Sequence, residues 1–146
     1  VTSFSYEQLF QTMRELKLPY PQANQLFRRM VFNVLARNCD DHTKNFAFRL
    51  KQDSEWELAP AYDICHAYRP GSIWVSQHAL SINGKRKGIQ KEDLMTVARS
   101  MNIKKAEHII NDINTTVNNW EDFARQAKVA EKKTKAIKET LLNINA

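Results

Sequence analysis

The stretch QANQLFRRMVFNVLARNCDDHTKNFAFRL, residues 22–50, contains the change of pattern that decides the fold. In residues 22–36 apolar side chains recur at helical spacing and form a wide stripe, which predicts a helix buried on one side. In residues 45–50 apolar side chains alternate with others, which is typical of a strand. Between them lies a polar segment dense in chemically capable side chains. The sequence therefore predicts a polar loop where a helix gives way to a sheet.

A second helix is predicted immediately before this stretch. Residues 4–17 place apolar side chains at mostly helical spacing. Either Ser3 or Ser5 can cap this helix, because a serine oxygen accepts hydrogen bonds from free backbone amides at a helix start. Pro19 and Pro21 are predicted to end it, since proline interrupts a continuing helix.

The remainder of the chain is predicted to be one short strand followed mainly by helices. A polar turn and a strand at 56–60 complete a hairpin with the strand at 45–50, and residues 73–83 are extended before an Asn-Gly turn. Helical spacing predicts further helices at 91–101, 104–127 and 130–144. The expected fold class is mostly α with a small β-hairpin, in a single domain over residues 1–146.

Size and composition place the chain among globular domains. It has 146 residues, 42% of them hydrophobic and 26% charged, which is enough for one domain with a core. No apolar run reaches the roughly 20 residues that a membrane helix needs, so we expect no membrane partner. The two cysteines, Cys39 and Cys65, are too few for a disulfide framework and favour a cytoplasmic location. A zinc site is disfavoured because Cys65 and His66 are adjacent and face opposite ways in an extended segment.

The net charge of +6 is unevenly distributed. The first 70 residues carry 9 Lys and Arg against 8 Asp and Glu, whereas the remainder carries 13 against 8. On the last helix Lys132, Lys135 and Lys138 lie three residues apart and would form a positive stripe. Glu131, four residues before Lys135, would partly neutralise it. Both a solvated helix face and a surface for nucleic acid or an acidic partner fit this pattern.

Three oxygen-bearing side chains have a spacing suited to metal-dependent phosphoryl transfer. Asp40 and Asn45 are five residues apart, and Asp63 lies 18 residues beyond Asn45, after the hairpin. A hairpin folds back on itself and can return Asp63 to the neighbourhood of Asn45. Such hard oxygen ligands suit Mg²⁺, and protein kinases use an Asp, an Asn five residues later and a further Asp in this order. The usual His-Arg before the first Asp and Phe-Gly after the last are missing.

The strings NCDDHTKNFAF, WELAPAYDI and LSINGKRKGI resemble the C-terminal domain of the HipA family of serine/threonine kinases, which are bacterial toxins of toxin–antitoxin pairs. All three blocks occur in the order of the family pattern, and the resemblance covers about residues 20–130. It implies that Asp40 is the catalytic aspartate and that Asn45 and Asp63 bind Mg²⁺. It also places His42 and Lys44 beside the phosphates or within the catalytic loop.

The same resemblance implies substrates and partners. ATP would be the phosphoryl donor, and the acceptor would be a Ser or Thr hydroxyl of a protein, either an aminoacyl-tRNA synthetase or the kinase itself. A HipB-like antitoxin is the implied partner, with DNA reached through that antitoxin. The family's N-terminal part supplies a phosphate-binding loop and a lysine on a strand; this chain, with only three glycines, offers neither. We therefore expect the C-terminal lobe alone, without its nucleotide-binding lobe and inactive by itself.

The alternative function is a non-catalytic interaction module that docks an antitoxin or DNA through the basic C-terminal half. Other residues receive simpler interpretations. Asp41 is expected to be a solvated charge, and His78 is assigned no role. The three tryptophans, Trp56, Trp74 and Trp120, are expected in the core rather than on a stacking surface.

Overall fold

The computed structural model describes residues 4–144 and shows a helical body that carries one small hairpin. Within that range the predicted fold class, mostly α with a small hairpin, is confirmed. No helix among these residues is long and apolar enough to cross a bilayer. The elements in chain order are α1 (Tyr6–Glu15), α2 (Tyr20–Leu35), a 3-10 turn (Thr43–Asn45), β1 (Phe48–Leu50), β2 (Trp56–Leu58), α3 (Lys91–Ser100), α4 (Ala106–Asn118), α5 (Trp120–Gln126) and α6 (Glu131–Lys138).

Ser5, one of the two serines predicted as the cap of α1, occupies that position. Its side-chain oxygen accepts from the backbone N–H of Gln8, and the Gln8 side chain accepts from the backbone N–H of Ser5, which forms a capping box. Ser3 lies outside the described residues. The prediction for the prolines was partly wrong: α1 ends before Pro19, but Pro21 lies in the first turn of α2, where its missing N–H breaks no helical hydrogen bond.

The core lies between α2 and α4, which make the most extensive contact of any two elements. Helix α1 packs against α2, and α3 packs against α4. The predicted stripe on α2 is confirmed, because its apolar side chains are almost wholly withdrawn from water. The buried apolar residues of these two helices are Leu26, Phe27, Met30, Val31, Val34, Leu35, Ala106, Ile109, Ile110, Ile113 and Val117. This packing fixes the C-terminal end of α2, from which the polar loop departs.

The hairpin is shorter than the sequence pattern indicated. Strands β1 and β2 pair antiparallel over three residues each, with Phe48 opposite Leu58 and Leu50 opposite Trp56. Asn45, which was predicted to begin the strand, belongs instead to the 3-10 turn. The hairpin's second strand directs the chain back toward α2, where Arg29 donates a hydrogen bond to the carbonyl of Ala59 at 2.8 Å.

The segment 73–83 is irregular rather than an extended strand, and most of its hydrogen bonds to other backbone lie in residues 78–82. The predicted Asn-Gly turn is present: Asn83 and Gly84 have φ angles of 49° and 75°, and Ile82 and Lys85 exchange backbone hydrogen bonds at 2.8 and 2.9 Å. These angles are typical of the tight hairpin turn that Asn-Gly favours. Trp74 is 76% exposed and Trp56 on β2 is 38% exposed, so the assignment of these two tryptophans to the core was wrong.

The long helix predicted at 104–127 is divided into α4 and α5. The N–H of Asn119 donates to the carbonyl of Thr116, three residues back, at 3.1 Å, which closes the last turn of α4. Helix α5 begins at Trp120, whose indole N–H donates to the carbonyl of Thr134 at 3.0 Å. The apolar spacing continues across this break, so periodicity alone could not locate it.

Candidate active site

The polar loop begins where α2 ends, in a backbone conformation that turns the chain sharply. Arg37 has a φ of 58°, in the left-handed region. Asn38 then donates its backbone N–H to the carbonyl of Asn33 at 2.9 Å. Asn38 also forms a parallel β-bridge with Ala67, and the N–H of Cys39 donates to the carbonyl of Ala67 at 3.0 Å. The loop is thus held by backbone pairing before it reaches Asp40.

Asp40 and Asn45 are brought together by the tight turn between them. The side-chain amide of Asn45 donates to the backbone carbonyl of Asp40 at 2.9 Å, and its backbone N–H donates to the carbonyl of His42 at 2.9 Å. The Asp40 carboxylate is 47% exposed, so it faces solvent from a fixed position. The loop therefore presents a constrained aspartate on an open surface.

Asp63 lies on the turn beyond the hairpin, and two hydrogen bonds hold that turn against the loop. The hydroxyl of Tyr62 donates to the carbonyl of Lys44 at 2.8 Å, and the side-chain amide of Asn38 donates to the carbonyl of Asp63 at 3.4 Å. Asp63 is exposed and has a φ of 52°, a left-handed conformation that aspartate tolerates better than most residues.

A shared neighbour indicates that the two carboxylates lie in one region. Burial, together with the charges of Asp63 and Asp40, raises the pKa of the Cys65 thiol. Charges act on a titrating group in this way only over short distances in a solvated protein surface. Asp40 and Asp63 therefore both lie near the Cys65 thiol, and we refer to this region as the acidic surface.

His42 and Lys44 occupy different positions relative to Asp40. Nε2 of His42 lies 3.8 Å from Oδ1 of Asp40, close enough to favour an ion pair when the ring is protonated. Its other ring nitrogen, Nδ1, is buried and has no hydrogen-bond partner among residues 4–144. Lys44 is exposed, and only its backbone carbonyl takes part in the contact with Tyr62.

Beneath this surface a chain of buried polar side chains supports the loop. Asn38 donates to Asn33 at 3.0 Å, Asn33 donates to the hydroxyl of Tyr6 at 3.0 Å, and Tyr6 donates to Oδ2 of Asp41 at 2.7 Å. Nδ1 of His78 lies 2.8 Å from the same Oδ2. All five side chains are at most 2% exposed. We refer to Tyr6, Asn33, Asn38, Asp41 and His78 as the buried network.

The interpretations of Asp41 and His78 were therefore wrong. Asp41 is 1% exposed and accepts hydrogen bonds from Tyr6, His78 and the backbone N–H of Ala79, the last at 2.8 Å to Oδ1. Two signals in the sequence indicate that Asp41 and His78 are buried. Neighbouring side chains in an extended chain face opposite sides, so Asp41 should point away from Asp40. His78 is followed by apolar residues. Neither signal identifies the partner, because pairing across 37 residues is invisible to local patterns.

The protonation of His78 follows from its surroundings. Burial lowers its pKa, but hydrogen bonds to Asp41 and Cys39 and the charges of these two groups outweigh burial and raise the pKa from 6.5 to about 9. Nε2 of His78 is buried without a partner in the described part of the chain. The Asp41 carboxylate is therefore the group that stabilises the positive ring. Burial and the charge of Asp41 likewise raise the pKa of Tyr6 well above its ordinary value.

The donor atoms at the acidic surface suit a small, hard cation. The carboxylates of Asp40 and Asp63 are oxygen donors, and Oδ1 of Asn45 remains available because the amide nitrogen makes the contact with Asp40. Mg²⁺ prefers such oxygens and usually keeps several waters or phosphate oxygens. Among residues 4–144 no three His, Cys, Asp or Glu side chains cluster as a metal centre by themselves. A cation here would depend on this mixed set together with its substrate.

Comparison with known proteins gives one strong result. The sequence model of a family described as the HipA-like C-terminal domain matches residues 2–140, nearly the whole chain. No curated protein sequence matches the chain.

Proposed function

The chain belongs to the HipA-like C-terminal domain family, and on that premise we propose that it is the catalytic lobe of a cytoplasmic protein serine/threonine kinase toxin. Joined to a nucleotide-binding lobe, it would transfer the γ-phosphoryl group of ATP to a Ser or Thr hydroxyl of a protein substrate. The observation that carries the proposal is the hydrogen bond from the Asn45 side chain to the Asp40 carbonyl at 2.9 Å. It ties the two residues of the Asp-x4-Asn pattern into one rigid turn.

Asp40 is the group that would accept or orient the proton of the substrate hydroxyl. Its half-exposed carboxylate on a constrained loop meets the geometric requirement for such a group, because a general base has to reach the proton that it abstracts. His42, 3.8 Å away, would help to keep the Asp40 carboxylate in position. Most of the rate enhancement would come from positioning and charge neutralisation.

Asn45 and Asp63 would hold Mg²⁺, which, when bound, neutralises the negative charge of the transferring phosphates. The side-chain oxygen of Asn45 and the exposed carboxylate of Asp63 are the atoms for this role. Lys44 is exposed beside them, where its ammonium would attract a phosphate oxygen. A HipB-like antitoxin, with DNA reached through it, is the partner that the family membership suggests.

The alternative, an interaction module that uses the basic C-terminal half, has less support from the contacts of α6. Nζ of Lys135 lies 2.6 Å from a carboxylate oxygen of Glu131. Lys138 donates to the carbonyl of Asn118 at 2.7 Å. Two of the three lysines in the stripe are thus engaged within the chain, which favours a solvated helix face over a contact with DNA or an acidic antitoxin. The catalytic function is therefore better supported than the interaction module.

The first prediction concerns the two carboxylates in the complete kinase. Asp40→Asn should abolish phosphoryl transfer by removing the base, and Asp63→Asn should do so by weakening metal binding. Transfer of labelled phosphate from ATP to protein, measured over a range of Mg²⁺ concentrations, checks both. Excess Mg²⁺ should partly restore Asp63→Asn but not Asp40→Asn.

A matched control for these variants is Asp53→Asn. Asp53 is an exposed aspartate on the hairpin turn, so its amide variant should transfer phosphate at the wild-type rate. Normal turnover in either Asp40→Asn or Asp63→Asn, with circular dichroism showing an intact fold, would contradict the assignment.

A further inference from the structure

The buried network bears directly on the direction in which Asp40 points. In the loop, Cys39 and Asp41 are buried whereas Asp40 between them is half-exposed, an alternation typical of extended backbone. Side chains alternate between two sides of an extended chain. The contacts that hold the Asp41 side chain inward therefore keep the Asp40 side chain outward. A rotation of the loop would move both carboxylates together.

Asp41 is held inward from two separate segments. Its Oδ1 accepts from the backbone N–H of Ala79 and its Oδ2 faces His78, so neighbouring residues of one segment occupy both oxygens. Tyr6, the first residue of α1, adds a third hydrogen bond. The position of the 78–79 segment is itself fixed, because Arg86 donates to the carbonyl of His78 at 2.6 Å and Ala79 also pairs with the carbonyl of Cys39 at 3.1 Å.

We propose that Asp41 and His78 form a buried ion pair that positions Asp40 for phosphoryl transfer. The inference rests on the proposed function and adds two positioning residues to it. Neither side chain reaches the substrate, since both are 1% exposed; they act through the backbone that carries Asp40. The network also extends through Tyr6, Asn33 and Asn38 to the carbonyl of Asp63, so the same structure links the candidate base to a candidate metal ligand.

The groups around His78 determine what its variants would change. Asp41 and Cys39 from the loop act on the His78 ring directly. Arg86 from the following turn donates to the backbone carbonyl of His78, and Tyr6 from α1 shares Oδ2 of Asp41 with the ring. Of these, Asp41 is the carboxylate in hydrogen-bond contact with the ring. Removing either member of the pair leaves the other buried without its countercharge, so the two single variants should have similar effects.

A second buried carboxylate provides a matched control. Asp93 is 3% exposed and accepts hydrogen bonds from Asn83, Lys85 and the backbone N–H of Gln90. It makes no hydrogen bond or ion pair with residues 38–45 within the described chain. Asp93→Asn therefore shows how much kcat changes when a buried, paired aspartate outside the loop is neutralised.

The kinetic test uses the complete kinase and the variants Asp41→Asn, His78→Gln, the double variant and Asp93→Asn. Asp41→Asn preserves the side-chain volume and an acceptor for the N–H of Ala79. We expect each single variant to lower kcat by about tenfold or more while KM for ATP stays within about twofold, and the double variant to match the singles. Asp93→Asn should keep kcat within about twofold at a temperature where it is folded. A kcat near the wild-type value in both single variants, or an equal loss in Asp93→Asn, would overturn the proposal.

A second measurement does not depend on activity. In the 146-residue chain, backbone amide exchange of residues 40–45 should be about tenfold faster in Asp41→Asn and His78→Gln, while the amides in the middle of α2 keep their protection. If the wild-type kinase transfers no phosphate, the proposed function fails. Amide exchange then shows by itself whether Asp41 and His78 hold the loop of Asp40 in position. Unchanged amide exchange in residues 40–45 would overturn the inference. If Asp41→Asn does not fold, the exchange rates of the milder variant His78→Gln test the inference in the same way.

Discussion

At the scale of single residues, two neighbouring aspartates have opposite environments. Asp40 is half in water, whereas Asp41 is enclosed with a histidine and a tyrosine. A buried carboxylate without partners would be strongly destabilising. Here each Asp41 oxygen has a donor, and the positive charge of His78 offsets the negative one. The charge attraction between the two groups therefore contributes to stability only while His78 is protonated.

The stability of the fold should fall as the pH rises toward 10. The pKa of His78 is raised from 6.5 to about 9 in the folded state. Its contribution is complete below pH 6.5 and is lost as the pH rises through about 9. At about 1.4 kcal/mol per pH unit, this amounts to about 3 kcal/mol of the free energy of unfolding. Urea unfolding at pH 7 and pH 10 measures it.

Two variants separate this effect from other titrations in the same pH range. His78→Gln should be less stable at pH 7 and should lose less stability than wild type on going to pH 10. His108→Gln should behave like wild type, because the His108 side chain is 74% exposed and, among residues 4–144, pairs only with Asp112 on the surface. Equal pH slopes for wild type and His78→Gln would show that His78 is neutral in the folded protein.

The candidate site was only partly predictable at this scale. The spacing of Asp40, Asn45 and Asp63 could be read along the chain, because a loop and a hairpin are local structures. The buried network could not be predicted, because the contacts of Tyr6 and His78 within it join distant segments, such as Tyr6 with Asp41. The acidity of a side chain does not by itself distinguish a solvated position from a buried, paired one.

At the scale of elements, glycine at position 84 of the Asn-Gly turn is required by backbone conformation and not by packing. A Cβ atom added to Gly84 would meet nothing within 4 Å, but the residue has a φ of 75°. An L-residue in the left-handed region costs about 1–2 kcal/mol. Gly84→Ala should therefore lower the free energy of unfolding by about 1 kcal/mol, measured by urea denaturation at pH 7.

Gly84→Asn is the matched variant for this prediction. Asparagine tolerates the left-handed region better than alanine does, so it should recover part of the lost stability although its side chain is larger. If alanine and asparagine were equally destabilising, a cause other than the backbone angle would be responsible.

The elements themselves were predictable where local chemistry determines them. The cap at Ser5, the stripe of α2 and the Asn-Gly turn all depend on residues within a few positions of one another. The break at Asn119 and the irregular segment 73–83 depend on packing. Asparagine is a poor helix former, yet it occurs inside α4 as well, so its presence could not mark the end of that helix.

At the scale of the whole molecule, the chain by itself should bind Mg-ATP only weakly, with a Kd above about 1 mM. The acidic surface would supply metal ligands under the proposed function, but the sequence contains only three glycines and no Gly-rich phosphate loop. The sequence therefore lacks elements that would contact adenine and most of the phosphate groups. Isothermal titration of the 146-residue chain with Mg-ATP measures this.

The same titration with the complete kinase is the positive control. Addition of the nucleotide-binding lobe should bring the affinity into the range of a working enzyme. Micromolar binding by the present chain alone would contradict the expectation and would place the nucleotide site within these residues.

The separation in sequence between Asp41 and its partners has a consequence for synthesis of the chain. Tyr6, His78 and Ala79 lie 35, 37 and 38 residues from Asp41. Contacts over such distances require large loops to close and form late. A nascent chain leaves the ribosome N-terminus first, so Asp40 emerges well before His78 is available to fix its loop. An incomplete chain therefore carries the acidic residues of the site without its geometry.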